Sequence, residues 1–222
     1  MRPPIIMNGE KIDWFHTVIR MLMYLAGVAV LALGMSLQTA SGLGVATLTC
    51  FATTLSMLTG KTLGFWITAT YVAYIVAQFT ILRREFQPRI LLELCFSTLI
   101  GGFMAVNPLH PAALPIQVET MLLSLAVTAF GVSLVVNMGV VPNAPDGLVQ
   151  VIAEKIKRRF GDVKVVFDCS HVAVSLVLSL ALMHNLGGFG VTTAISALFL
   201  GHVINIANKL FAQRFVRAAF GK

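Results

Sequence analysis

Asp168 has the most chemistry to offer. It sits within an apolar run, with Lys164 one helical turn before it and His171 one turn after, so both can reach its carboxylate. An ionised carboxylate inside a membrane span costs about 2.5–3.5 kcal/mol on insertion scales, so it faces a cavity or a partner. Two readings stay open at this point. One is a proton- or substrate-coupling carboxylate with His171 as relay; the other is an ion pair with Lys164 about a turn from the helix end. Ser175 continues the Asp168–His171 face. Tyr71, Tyr74 and Gln78, spaced by three and four, share a face on an earlier apolar run. Together these six residues could line a path for a small polar solute.

Other polar residues have plainer readings beside the functional one. Glu93 lies one turn after Arg89, which reads as a pair snorkelling at an interface. Asp146 follows a Pro-rich stretch and is placed to cap the helix that begins there. His202 and Asn205 stand near the end of the last apolar run, where Thr193, Ala197, Gly201 and Asn205 make a small-residue face suited to close helix packing; His202 reads as a packing histidine. Cys50, Cys95 and Cys169 form no CxxC pair and no zinc-spaced cluster, so they read as core thiols. Nothing resembles a phosphate loop, a nucleophile with its base, or a metal box. The expectation is no enzyme, no metal and no cofactor.

The elements that position these residues follow from composition. Of 222 residues, 57% are hydrophobic and 11% charged, against about 25% charged in ordinary soluble domains. Such a chain cannot wet a normal surface, which excludes a soluble enzyme and a disordered chain. Apolar stretches near 20 residues long occur at 18–37, 63–82, 90–106, 120–137, 165–183 and 189–207, giving six spans. With the N-terminus inside, every one of the 16 Lys and Arg falls on the inner side except Lys61, as the positive-inside rule asks. Both termini are then cytoplasmic. The net charge of +7 faces an anionic leaflet and implies no nucleic acid. Residues 41–60 are too apolar for a plain loop and too rich in Gly and Thr for a full crossing, so a re-entrant or interfacial helix is expected. Residues 143–160 read as an amphipathic helix with apolar Leu148, Val151, Ile152 and Ile156 and a basic end.

The second half resembles the first at an offset of 97 residues. Gly34, Ser36, Leu37, Gly42 and Gly64 meet Gly131, Ser133, Leu134, Gly139 and Gly161, and the same offset carries Tyr71, Tyr74 and Gln78 onto Asp168, His171 and Ser175. Three spans per half force opposite orientations. The expected fold is all-α: a polytopic membrane bundle of six transmembrane helices in two inverted three-helix repeats (about 17–107 and 119–210), forming one domain over 1–222. Short re-entrant or interfacial helices follow the first and fourth spans. Inverted repeats recur in secondary transporters, with sites at the repeat interface beside interrupted helices. Gly42, Gly44, Gly139 and Gly147, in the breaks after the first and fourth spans, are candidate gates.

Residues 33–38 (LGMSLQ), Gly42-Leu-Gly44, Asp146-Gly147 and the glycines of 187–190 ahead of a Ser/Ala-rich last span resemble the YczE/YitT-type bacterial membrane proteins. The resemblance implies a bacterial inner-membrane location, with Lys164 and Asp168 matching the family's basic and acidic pair and Asp146 its acid after the Pro/Gly stretch. It departs where relatives often carry a proline and an acid, for this chain has Ala46, Thr47 and Thr49, and Thr49 is the repeat counterpart of Asp146. The leading expectation is a secondary transporter of a small polar solute. Two alternatives are a substrate-binding membrane subunit of a multi-component uptake system and a non-transporting accessory protein. Expected partners are the lipid bilayer, a small polar solute, and a second copy or another membrane protein.

Overall fold

The computed structural model describes residues 14–83, 88–94, 111, 113–184, 186 and 188–220, and among them there are helices and no strand. In chain order these are α1 (Trp14–Ala40), α2 (Thr47–Thr59), α3 (Leu63–Leu82), a 3₁₀ turn (Pro88–Leu91), α4 (Leu114–Met138), α5 (Ala144–Ile156), α6 (Phe160–Met183) and α7 (Val191–Phe220). α1, α3, α4, α6 and α7 are long and apolar enough to cross a membrane, so the chain is a multi-pass membrane protein. The span expected at 90–106 lies outside the described residues beyond Leu94.

The bundle is apolar outside and also carries many polar side chains in its otherwise apolar interior. Leu22, Leu25, Phe79, Leu123, Val177 and Phe199 are among many large side chains turned outward, whereas Gln38, Gln78, Ser124, Ser133, Ser175 and Ser179 are buried. In water this would be unstable. In a bilayer the lipid solvates the apolar surface, and helix association rests on close packing and internal hydrogen bonds.

α1 and α4 form the central crossing, and they run antiparallel. Arg20 donates from Nε to the Met138 carbonyl at 2.8 Å, Gly131 lies against Leu31, and Gly34 lies against Thr128. Both glycines are required by contact. A methyl on Gly131 would stand 2.5 Å from the Leu31 nitrogen, and one on Gly34 would stand 2.6 Å from the Thr128 nitrogen. Arg20 also donates to the Gly139 carbonyl at 2.9 Å. Its charge therefore sits at the negative C-terminal end of α4.

Helix limits differ from the hydropathy reading. α1 starts at Trp14, α4 at Leu114, and α7 runs on to Phe220, because hydropathy marks only the part of a helix immersed in hydrocarbon. Residues 143–160 are not one amphipathic helix. α5 stops at Ile156, Lys157 takes a left-handed conformation, and α6 begins at Phe160. Burial in α5 follows depth rather than helical face: Ala144 through Val149 are buried with Ala153, while Ile156 is 56% exposed. α2 is built alike, with Thr47, Leu48, Cys50, Ala52 and Thr54 buried and Met57 turned outward.

Backbone landmarks recur at the offset seen in the sequence. α2 and α5 begin at Thr47 and Ala144 and end at Thr59 and Ile156, each pair 97 residues apart, as are the starts of α3 and α6. Gly42 and Gly139 both have positive φ after their helices (71° and 60°), and so do Gly60 and Lys157 (68° and 55°). The half-length helices cross over: α2 packs on α6, and α5 packs on α3.

Candidate functional site

The exchange of short helices brings three elements to one buried point. Lys164, in the first turns of α6, places Nζ 3.0 Å from Asp168 Oδ1 and 3.0 Å from Asp146 Oδ1 of α5, with all three side chains 5% exposed or less. Thr47, the first residue of α2, lies beside the Asp168 carboxylate. The N-termini of both short helices thus converge on one turn of α6. The partial positive charge at the start of α2 complements Asp168.

Burial of this triad demands compensation, because an ion taken out of water loses several kcal/mol of hydration. One ammonium serves two carboxylates here. The hydroxyl of Tyr74, beside them, is buried without a hydrogen-bond partner among the described residues. A buried hydroxyl left without a partner is uncommon in folded proteins.

A second buried carboxylate site adjoins the triad. Gln78 of α3 donates from Nε2 to Glu93 Oε2 at 2.6 Å and lies 3.4 Å from the Ala144 carbonyl. The Glu93 carboxyl packs on Gly147 so closely that any side chain there would collide with it. Glu93, 2% exposed, is therefore no snorkelling surface residue. Arg89 at a spacing of four invited that reading; the available signal for the alternative was the glycine at 147.

Each residue singled out from sequence can now be placed. Tyr71, Tyr74, Gln78, Asp168 and Ser175 are all buried; Tyr74 of α3 meets Phe167 and His171 of α6, whereas Gln78 turns to Glu93 and Ala144. Tyr71 and Tyr74 pack ring on ring at 6.2 Å. His171 does not reach Asp168. Its Nδ1 lies 2.8 Å from the Phe167 carbonyl, and its ring packs on Phe167, Tyr74 and Phe51. A histidine one turn on can bond its own helix carbonyl as readily as the side chain above it, and here it does.

Asp146 is not the helix cap. Asn143 holds that position, and Asp146 sits in the first turn with its carboxylate committed to Lys164. Gly147 is helical, not a break, and its role is to admit Glu93. Gly42, Gly44 and Gly139 do lie in breaks with positive φ. The first break is sealed by protein: Thr192 N–H donates to the Leu43 carbonyl at 3.1 Å, Thr193 Oγ1 to the Val45 carbonyl at 2.6 Å, and Gly190 packs on Gly44.

On α7, the small-residue face meets α6. Gly201 lies against the Gly161 carbonyl, and Asn205 donates from Nδ2 to Asp162 Oδ1 at 2.7 Å. His202 points outward, exposed, with Nδ1 2.9 Å from the Leu198 carbonyl; it is not a packing residue, because the contact face falls on the other side of the helix. Cys50 is buried, Cys169 is half-buried, and neither is in a disulfide; Cys95 lies outside the described residues. Among the described residues no group of three or more His, Cys, Asp or Glu could hold a metal.

Residues 18–209 match DUF6198, a family of unknown function. The chain belongs to that family. The DUF6198 match takes in α2 through α6 entirely, and with them every residue of the triad and of the Gln78–Glu93 pair. No curated protein and no solved structure matches the chain.

Proposed function

We propose that this protein is a secondary transporter of a small polar solute in the bacterial inner membrane. On this reading it has six spans in two inverted three-helix repeats and both termini in the cytoplasm. One observation carries the proposal: Lys164 is shared between Asp146 and Asp168 where the N-termini of two half-length helices meet inside the bundle. Secondary transporters use such helix starts to bind charged groups near the bilayer centre.

The inverted arrangement has its own support. Exchanging the halves by the 97-residue offset turns the Gly34–Thr128 contact into the Gly131–Leu31 contact. It likewise turns α2-on-α6 into α5-on-α3. A two-fold axis between the antiparallel α1 and α4 generates both relationships. The carbonyls of Leu43 and Val45 in one break and of Gly139 and Val141 in the other each accept a hydrogen bond from another helix, the kind of cover irregular chain needs at membrane depth. The resemblance to YczE/YitT-type proteins and the placing of the Lys and Arg residues point to the same location. On this reading α2 and α5 are re-entrant, and the solute passes between α3 and α6, along Tyr71, Tyr74, Gln78, Asp168, His171 and Ser175.

Native mass spectrometry of the protein extracted in mild detergent tests the proposal. A small polar species retained by the wild type and lost in Asp168→Asn, and then exchanged by wild-type proteoliposomes only, is the expected result. A stoichiometric membrane-protein or ATPase partner with no small molecule would overturn it in favour of a subunit or accessory role.

A further inference from the structure

The turn joining α5 to α6 borders a cavity of 860 Å³ with two chemical faces. Its floor is apolar, made by Leu82, Val136 and Phe160, and its rim carries Lys155, Lys157, Arg158 and Arg159 against one acid, Glu154. Arg159 is held by Asp162 at 2.9 Å. The other three cations are exposed and form no ion pair among the described residues. The volume lies in the range of sites that enclose small ligands.

We infer that this cavity is a binding site for one anionic phospholipid, with acyl chain on Leu82, Val136 and Phe160 and phosphate on Lys155, Lys157 and Arg158. The inference does not depend on transport. The molecule supplies its own comparison in the turn 97 residues earlier. Lys155, Lys157, Arg158 and Arg159 correspond there to Leu58, Gly60, Lys61 and Thr62. Gly60 and Lys157 both take the left-handed conformation that ends a 13-residue helix. The same backbone is thus built once with one cation and once with four, so the turn itself does not need the charge.

Lys157 makes the point most sharply. Left-handed backbone crowds the Cβ of any L residue and suits glycine, and glycine is what the first half uses. A lysine at this position gives up backbone comfort to place an ammonium on the rim. Basic pockets between spans on the cytoplasmic side are the places where acidic lipid headgroups dock. The general preference for cations inside explains their side of the membrane, but not their gathering around an apolar-floored cavity.

The test adds phosphatidylglycerol or phosphatidylethanolamine to the purified full-length protein and reads lipid retention by native mass spectrometry. Wild type should keep one phosphatidylglycerol in preference to phosphatidylethanolamine. Lys157→Gly should retain it about fivefold less, and Lys157→Gly with Arg158→Gln about thirtyfold less, at roughly one charge's worth of surface attraction each. Lys157→Gly should also unfold no earlier than wild type, which separates lost binding from lost folding. Lys61→Gln on the opposite turn should change nothing. Equal retention of both lipids, equal retention by the variants, or a matching loss in Lys61→Gln would overturn the site. Displacement of the lipid by soluble glycerol phosphate would overturn the lipid in favour of a free phosphate ester.

Discussion

Lys164 bridges two helices: its Nζ stands 3.0 Å from Asp146 Oδ1 on α5 and 3.0 Å from Asp168 Oδ1 on its own helix. The side chain that joins the half-length helix to the span is also the one that neutralises the buried carboxylates. Structure and chemistry therefore depend on the same ammonium.

Removing that ammonium should be the most damaging single change in the bundle. Lys164→Met leaves two carboxylates buried without a counter-charge, at about 3–5 kcal/mol. Asp146→Asn leaves one ammonium with one carboxylate and should cost about 1–3 kcal/mol. Combining Lys164→Met with Asp146→Asn and Asp168→Asn removes every charge and should recover much of the lost stability. Unfolding in mixed micelles measures all of these, and a Lys164→Met protein as stable as Asp146→Asn would show that the triad is not held by charge.

Glu93 and Gly147 give a prediction of coupling. A methyl at position 147 meets the Glu93 carboxyl, so Gly147→Ala should cost about 1–3 kcal/mol through overpacking. Glu93→Asp shortens the side chain by one methylene and withdraws it from that point. The double variant should be more stable than the sum of the single losses by about 0.5–3 kcal/mol. Strict additivity in a double-mutant cycle would mean that the two residues do not share the space.

Much of this site is legible in the chain because membrane helices leave few places for polar side chains. The stripes Tyr71–Tyr74–Gln78 and Asp168–Ser175 are both buried, and a polar residue in an apolar run has little choice but to face inward. Asp146 and Glu93 were harder to read. Both lie near basic residues or turns, where a surface role is the cheaper assumption, and both are buried because α5 enters the bundle start first. Local spacing does not reveal which end of a short helix is deep. His171 is hidden for a different reason, since spacing puts a side chain within reach of several acceptors and packing chooses among them.

The α1–α4 crossing predicts matched costs at matched positions. Gly34 and Gly131 occupy equivalent points on antiparallel helices and meet Thr128 and Leu31, themselves 97 residues apart. Gly34→Ala and Gly131→Ala should therefore destabilise by similar amounts, at least the 1–3 kcal/mol typical of overpacking. Gly64 is exposed near the start of α3, so Gly64→Ala should be neutral or stabilising, by up to about 1 kcal/mol of helix propensity. A large inequality between Gly34→Ala and Gly131→Ala would remove the two-fold relationship.

The orientation of the halves can be tested at the two left-handed turns. Gly60 and Lys157 end helices of equal length and type, and under an inverted repeat they face opposite sides of the membrane. Single cysteines at Lys61 and Lys157, in a background with Cys50, Cys95 and Cys169 replaced by alanine, should label with a membrane-impermeant maleimide from opposite sides. The Lys61 position should react in intact cells and the Lys157 position only in inverted vesicles, since every other cation falls on the inner side of this arrangement. Both turns are exposed, so access is decided by side alone. Labelling of both from one face would make the halves parallel, and the shared offset would then mark a duplicated packing unit without the inversion that alternating access uses.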